Sequence, residues 1–375
     1  MRILHLRQSC GLYGADRALL DLASATPPGF TPIVGSIVRP NRADPFGDEA
    51  RRRDLPLWVL ETYGRADGNA VKTLSRRLHD ERIELLHAHD YKSLCMGALA
   101  AARVGVPLVA TWHGDTGATL PLRMYEGLAR AVGNTTRGVA AVSRTLAERL
   151  RRWIHTAPVR HIPNGIGPRE PLTEAERQTA RKALKVSPDA MVIAIVGRLS
   201  IEKGHSRLFR ALRMAGVNAT VLVAGEGPLE AQLRHEAEEL DVRFLGFVSE
   251  PRRVYAACDL VVMPSSTEGL PLVALEAMSL GRPLLASSVG ELPVLLSAGA
   301  GLLVPPGDDQ ALAEALRRAL SSRELRGAVA ERAAARVRDE YGLGRMASRY
   351  AEDLWRPALE RGSGLMLRRR EAVAR

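Results

Sequence analysis

The stretch CDLVVMPSSTEGLPLVALEAMSLGRPLLASS, residues 258–288, decides how the second half of the chain is read. Its apolar start, CDLVV, has the length and composition of a buried strand. A small polar turn follows, then Glu268, Gly269, Leu270 and Pro271. Proline suits the first position of a helix, where its missing N–H is one of the orphan donors anyway. A helix is therefore expected from Pro271 to about Leu280, ended by Gly281 with Pro283 beyond it as a stop signal. It holds Leu272, Val273, Leu275, Met278 and Leu280, with Ala274 and Ala277 between them. Apolar almost all round, such a helix belongs in a core. A second apolar run, 283–287, completes a strand–helix–strand unit. Two acids interrupt the pattern: Glu276 inside the helix and Glu268 just before it.

Working outward, the same unit recurs. Strands are expected at 2–6, 32–38, 57–60, 83–89, 107–112, 138–143 and 159–162, then at 191–197, 219–224, 242–247, 260–264, 283–287 and 301–304. Helical patterns separate most of them, which implies an α/β fold with parallel sheets and helices on both faces. The pattern restarts near 190, after the charged segment PREPLTEAERQTARKALKVSPD (168–189). Two doubly wound, Rossmann-like domains are expected, 1–167 and 168–343, with their sheets facing a central cleft. A helical stretch at about 344–375 should pack back on the first. The length of 375 residues suits two domains. Ligands of such sheets bind beyond the carboxyl ends of the strands, and Glu268 falls at one such end.

Composition narrows the function. No run of about 18 apolar residues is present, so no membrane-spanning helix is expected. The opening MRILHLRQSCGLYG turns polar too early for a secretory signal. Cys10, Cys95 and Cys258 form neither a metal nor a disulfide pattern, which suits a reducing cytoplasm. The net charge of +11 lies mostly in residues 1–165, which carry 23 basic and 15 acidic residues. That excess, with Arg51–Arg53 in a row and Arg76–Arg77 on an expected helix, favours phosphorylated substrates or peripheral contact with an anionic membrane surface. Nucleic acid is not expected: aromatics are 4% and neither zinc-finger nor RNA-binding signatures occur.

Several groups could carry chemistry. A carboxylate only accepts hydrogen bonds and can take two adjacent hydroxyls, as on a sugar. Glu268 and Glu276 suit that task; alternatively Glu276 pairs with a neighbour such as Arg282. The peptide groups around Leu270–Val273 open a helix and would attract phosphate. In VGRLSIEKGHSRLFRAL (196–212), Arg198 ends a strand and Lys203 precedes a helix, a cation pair suited to a diphosphate or to plain solvation. CGLYGADRALLDLA (10–23) places Gly11 and Gly14 in a loop before a helix, although Asp16 could simply complement the helix dipole. Neither this loop nor GEGPLE (225–230) is a dinucleotide fingerprint. His113 in TWHGD ends the fifth strand, as a ligand or as a packed side chain. In HAHD, one of His87 and His89 is expected to face inward. No Asp-x-Asp metal motif occurs in the chain, so no metal is expected.

Taken together, VGRLSIEKG, VLVAGEGPL, VRFLGFVSE, PSSTEGLPLVALEAMSLGRP and GLLVPPGD, in that order, closely resemble the family 4 glycosyltransferases, which have the GT-B fold. The resemblance covers almost the whole chain. It implies a metal-independent, retaining hexosyltransferase that takes a UDP- or GDP-sugar, needs no cofactor, and transfers to a glycan or lipid-linked acceptor in cell-surface polysaccharide or glycolipid synthesis. It implies that Glu276 holds the ribose hydroxyls, that Glu268 holds hydroxyls of the transferred sugar and that Arg198 and Lys203 bind the diphosphate. Gly14 matches the glycine loop over the donor, and His113 a histidine near the sugar; the catalytic set is thus His113, Arg198, Lys203 and Glu268. Phe247 and Val248 would contact the base, with Gly269, Leu270 and Leu272 completing the donor site. The chain departs from the family pattern at Val289–Gly290–Glu291 and at Tyr13–Gly14–Ala15–Asp16. A non-catalytic nucleotide-sugar-binding subunit and an epimerase of the same fold are the alternatives.

Overall fold

A computed structural model of the chain describes residues 1–8, 11–64, 67–114 and 120–361. The chain divides into two compact units: Met1–Gly165 with the segment from Leu343 onward, and Ile166–Gly342.

The first unit holds a seven-stranded parallel sheet. Its strands are β1 (Arg2–Gln8), β2 (Thr31–Val38), β3 (Leu57–Glu61), β4 (Leu85–Ala88), β5 (Leu108–Trp112), β6 (Gly138–Ala141) and β7 (Val159–His161), in the order β3-β2-β1-β4-β5-β6-β7. Helices Gly68–Asp80, Tyr91–Val104 and Arg144–Arg151 have buried positions at helical spacing. They cover a face lined by Leu4, Leu6, Leu86, Ala110 and Val139. The opposite face, with Ile3, Leu85, Val109 and Ala140, is covered by the returning C-terminal segment through Met346, Tyr350, Leu354 and Trp355. Residues 362–375 of the expected C-terminal stretch lie outside the described residues, as do Cys10 and Asp115.

The second unit holds six parallel strands: β8 (Val192–Val196), β9 (Thr220–Ala224), β10 (Val242–Phe244), β11 (Leu260–Met263), β12 (Leu284–Ser287) and β13 (Leu302–Val304), in the order β10-β9-β8-β11-β12-β13. All thirteen strands expected from the sequence form. The charged segment 168–189 belongs to this unit. It contains helix Glu174–Ala183, whose Thr173–Glu176 capping box starts it. That helix docks by charge, with Arg177 and Arg181 both gripping Asp259 at 2.7 and 2.8 Å. The helix of the opening stretch spans Leu272–Ser279, with Pro271 extended before it rather than inside it. Gly281, at φ +66°, supplies the left-handed turn that ends it.

Parallel strands deliver all their following loops to one edge of the sheet, and in the second unit these loops touch backbone to backbone. The N–H of Gly197 donates to the Ala224 carbonyl at 2.9 Å, that of Leu199 to Glu226 at 2.9 Å, and that of Gly225 to Gly246 at 2.8 Å. A Cβ on Gly225 would lie 1.9 Å from the Gly197 oxygen, and one on Gly227 would lie 2.3 Å from the Leu199 oxygen. GEGPL is therefore a packing motif that lets the β8 and β9 loops meet. Gly225→Ala, which also faces a φ of +147°, is expected to cost about 3 kcal/mol or more. Gly327→Ala, inside a helix with nothing within 4 Å, should be neutral or stabilising. Thermal unfolding of the two variants checks this; equal melting temperatures would contradict the packing role.

Candidate functional site

In the second unit Arg198, Lys203 and Glu268 all follow strand ends at this edge. After β8, Arg198 is exposed, and among the described residues its guanidinium makes no ion pair. A short turn, Ile201–Lys203, leads to Gly204, which has a φ of +72°. A Cβ there would lie 2.2 Å from the Pro264 oxygen, so glycine lets the Lys203 turn press against the end of β11. The Lys203 stem passes beside Gly197, 3.7 Å from where a Cβ would stand. Its ammonium reaches Glu268 at 2.7 Å. The Glu268 side chain is only 7% exposed and takes a second bond from the Ser265 hydroxyl at 2.8 Å. Gly290, at φ +60°, closes the arrangement from the β12 side, because a Cβ there would sit 2.2 Å from the Glu268 oxygen. Glu291 then donates its N–H to the Gly269 carbonyl at 2.9 Å. The departure at Val289–Gly290–Glu291 thus keeps the glycine that the contact demands.

Glu276 is 4% exposed and has other partners than Arg282. The Tyr255 hydroxyl donates to it at 3.0 Å, and Arg169 stands 3.7 Å away. Arg282 instead donates to the Cys258 carbonyl. Burial, and then the neighbouring Glu276 charge, raise the Tyr255 pKa well above its usual value, so the phenol stays a donor. Leu270 and Leu272 are buried, 2% and 7% exposed. Their side chains are therefore closed to a ligand. The helix start at Leu272 has no capping side chain. Phe247 is 48% exposed, with its N–H held by Glu226 at 3.2 Å, and Val248 is half-buried. A large apolar ring left in water beside a fixed backbone is a ready platform for a flat ligand.

In the first unit, Gly14 is the first residue of helix Gly14–Ser24, and a Cβ on it would meet nothing within 4 Å. Asp16 does more than face the dipole. It is fully buried, bonds Arg7 and takes the Tyr13 N–H at 2.7 Å, while Arg7 donates on to the His89 carbonyl. His113 lies just past β5, and its Nε2 is 3.4 Å from His89 Nδ1. Burial, helped by the Arg7 charge, pushes its pKa down to about 3, so it is neutral. His87 and His89 are both buried, at 0% and 2% exposure. The expectation that only one would face inward fails because residues two apart on a strand share a face.

Comparison with known proteins places this geometry in a class. A model described as glycosyl transferases group 1 matches residues 176–336, and one described as glycosyltransferase family 4 matches 35–170. The chain is 32% identical to the D-inositol 3-phosphate glycosyltransferase of Saccharomonospora viridis, over 81% of this chain and 76% of that one. It is 33% identical to the enzyme of the same name from Actinosynnema mirum, over 84% and 81%. Among solved structures, Anabaena Alr3699/HepE in complex with UDP-glucose superposes with a TM-score of 0.85 at 24% identity, covering 94% of this chain and 99% of that one. The two parallel-sheet units are those of the GT-B fold. The chain belongs to the family 4 glycosyltransferases, and it is a glycosyltransferase.

Sequence reasoning missed Tyr255, Arg169, Ser265 and the Arg7–Asp16 pair. Ser265 is only three residues from Glu268, but the others act across 9 to 107 residues of chain, where no local pattern marks a partner. The imidazoles carry a pH prediction. Burial lowers His5 to about 3, and His87 and His89 well below 6.5. The unfolded chain binds these protons near pH 6.5 while the folded unit refuses them until far lower. Stability is therefore full above pH 6.5 and lost as pH falls toward 3. The loss should reach about 1.4 kcal/mol per pH unit for each imidazole that stays neutral. Trp58, Trp112, Trp153 and Trp355 are the chain's four tryptophans, and all lie in the first unit. Denaturant unfolding followed by their fluorescence at several pH values reads this loss directly; stability unchanged between pH 7 and pH 5 would contradict it.

Proposed function

We propose that this protein is a retaining hexosyltransferase that moves a sugar from a UDP- or GDP-hexose to a glycan or lipid-linked acceptor hydroxyl. The observation that carries the reading is the Lys203–Glu268 ion pair held against Gly197–Arg198 and Gly290. It puts a cation for phosphate and an acceptor for sugar hydroxyls side by side. The UDP-glucose complex of Alr3699/HepE supports a nucleotide-sugar donor, and relatives named D-inositol 3-phosphate glycosyltransferase support a hydroxyl-bearing acceptor.

In this reading Glu276 receives the ribose hydroxyls, oriented by Tyr255 and Arg169, and Glu268 receives hydroxyls of the transferred sugar. His113 stands near that sugar, the Phe247–Val248 segment meets the base, and Gly14 leaves room over the donor. As the bond from the sugar C1 to the diphosphate oxygen breaks, negative charge gathers on the phosphate. Arg198, Lys203 and the uncapped start of helix Leu272–Ser279 stabilise it without a metal. The acceptor oxygen bonds C1 from the face the diphosphate leaves, and its proton passes to the departing phosphate oxygen. Configuration is thereby kept, with no side-chain nucleophile.

A cytoplasmic setting fits a nucleotide-sugar donor, and no helix among the described residues is long and apolar enough to cross a membrane. Attachment to a membrane surface has less to rest on than the sequence suggested. Arg51 pairs with Asp48, Arg52 with Glu49, and Arg53 with both Glu49 and Asp21. Lys72 and Arg76 remain as exposed cations on helix Gly68–Asp80.

Two outcomes test the site. Glu276→Ala should weaken binding of the bare nucleoside diphosphate, whereas Glu268→Ala should spare it and cut turnover of the nucleotide sugar. Equal losses of nucleotide affinity would contradict the division. Lys203→Ala should cost about a hundredfold in rate, the scale of one electrostatic donor at the reacting centre. A near-normal rate would remove Lys203 from the mechanism.

A further inference from the structure

Four of the nine histidines converge inside the first unit. The parallel register sets His5 on β1 opposite His87 on β4. His87 and His89 have ring centroids 4.0 Å apart, His5 and His89 5.3 Å, and His89 and His113 5.7 Å. His5, His87 and His89 each bring a ligand nitrogen within 4.8 Å of the others, a spacing a metal could use. Hydrogen bonding accounts for the cluster more fully. An indole N–H only donates, and that of Trp355 points to His87 Nδ1 at 3.3 Å. His87 therefore carries its proton on Nε2, 2.8 Å from the Thr111 hydroxyl, and both its nitrogens are engaged.

The other three rings form a line. His113 Nε2 lies 3.4 Å from His89 Nδ1, and His89 Nε2 lies 3.1 Å from His5 Nδ1. The two ends, His113 Nδ1 and His5 Nε2, are buried and have no partner among the described residues. Burial keeps the rings neutral. The charged groups alongside are Arg7 and Asp16, which are bound to each other. On the far side Tyr350 is neutral too, its pKa pushed up to about 12 by burial.

A neutral imidazole has one N–H and one lone pair, and each ring-to-ring bond needs one of each. Three rings and two bonds then allow only two arrangements. All three rings carry the proton on Nδ1, or all three carry it on Nε2. Any mixture leaves one contact with two protons or with none. We propose that His89 and His5 are positioning residues that fix the tautomer of His113, so that the dipole of its half-buried neutral ring keeps one direction. Its effect on transfer rests on the role given to His113 under Proposed function. Changing state would remove a proton at His113 Nδ1, pass two along the line and add one at His5 Nε2. Both end nitrogens are sealed from solvent, so the chosen state persists through turnover.

Long-range ¹⁵N–¹H correlation on [¹⁵N]histidine-labelled protein at neutral pH, assigned by single substitutions, reads each tautomer. His5, His89 and His113 should be protonated on the same nitrogen, and His87 on Nε2. In His89→Phe, the His113 shifts should move to the averaged values of a tautomer mixture while those of His87 stay put, showing an intact unit. For the nucleotide sugar, kcat should fall about tenfold, the scale of one misplaced hydrogen bond, with KM little changed. Opposite tautomers on neighbouring rings in the unsubstituted protein would overturn the proposal. So would His113 shifts indifferent to His89→Phe, or stoichiometric zinc bound to the rings. Matching tautomers in a protein that turns over no nucleotide sugar would support the proton line and remove the transferase reading instead.

Discussion

The second unit depends on backbone contacts that leave no room for a side chain. At the carboxyl edge of its sheet, Gly225 meets Gly197, Gly204 meets Pro264 and Gly290 meets Glu268, each with a hypothetical Cβ 1.9 to 2.2 Å from a carbonyl oxygen. Three pairs of loops are thereby fixed to one another. Lys203 and Glu268 inherit their mutual geometry from these contacts: one sits on the turn that Gly204 presses against β11, the other on the loop that Gly290 closes. A site assembled from backbone contacts loses little order when a ligand arrives, which is what a charge-handling site requires.

The two acids of the opening stretch illustrate a second constraint. Carboxylates this deeply buried need partners, and both have them within the unit. Glu268 shares an ion pair with Lys203, and Glu276 takes a phenol and faces a guanidinium. Neither is stranded without a ligand, and each still belongs to a group that a ligand can join. The first unit solves a similar problem without charge. It holds four neutral imidazoles, three of them buried and His113 half-buried, and satisfies most of their nitrogens with one another, with Trp355 and with Thr111.

The architecture was legible because strands and helices write their periods locally. Thirteen apolar runs separated by helical patterns sufficed for two parallel sheets, and the motif order of the second half sufficed for the family. Boundaries slipped where a residue serves two structures: Pro271 shapes the approach to its helix from outside it. The helix inside the charged segment 168–189 was not legible because it is polar and docks through Arg177 and Arg181 onto Asp259, a contact that apolar periodicity does not encode. The run Arg51–Arg53 read as a basic patch because its neutralising acids, Asp21, Asp48 and Glu49, are placed by folding. Pairs such as His5 with His89, 84 residues apart, need the strand register, which no local pattern supplies.

The central claim is that the strand-end loops of the second unit hold a nucleoside diphosphate with fixed cations and amides alone. Calorimetric titration of UDP and GDP in the presence of EDTA tests it most directly. The account predicts saturable binding of at least one of them, weakened by salt and unchanged when Mg²⁺ replaces EDTA. Binding that appears only when Mg²⁺ is added would contradict it.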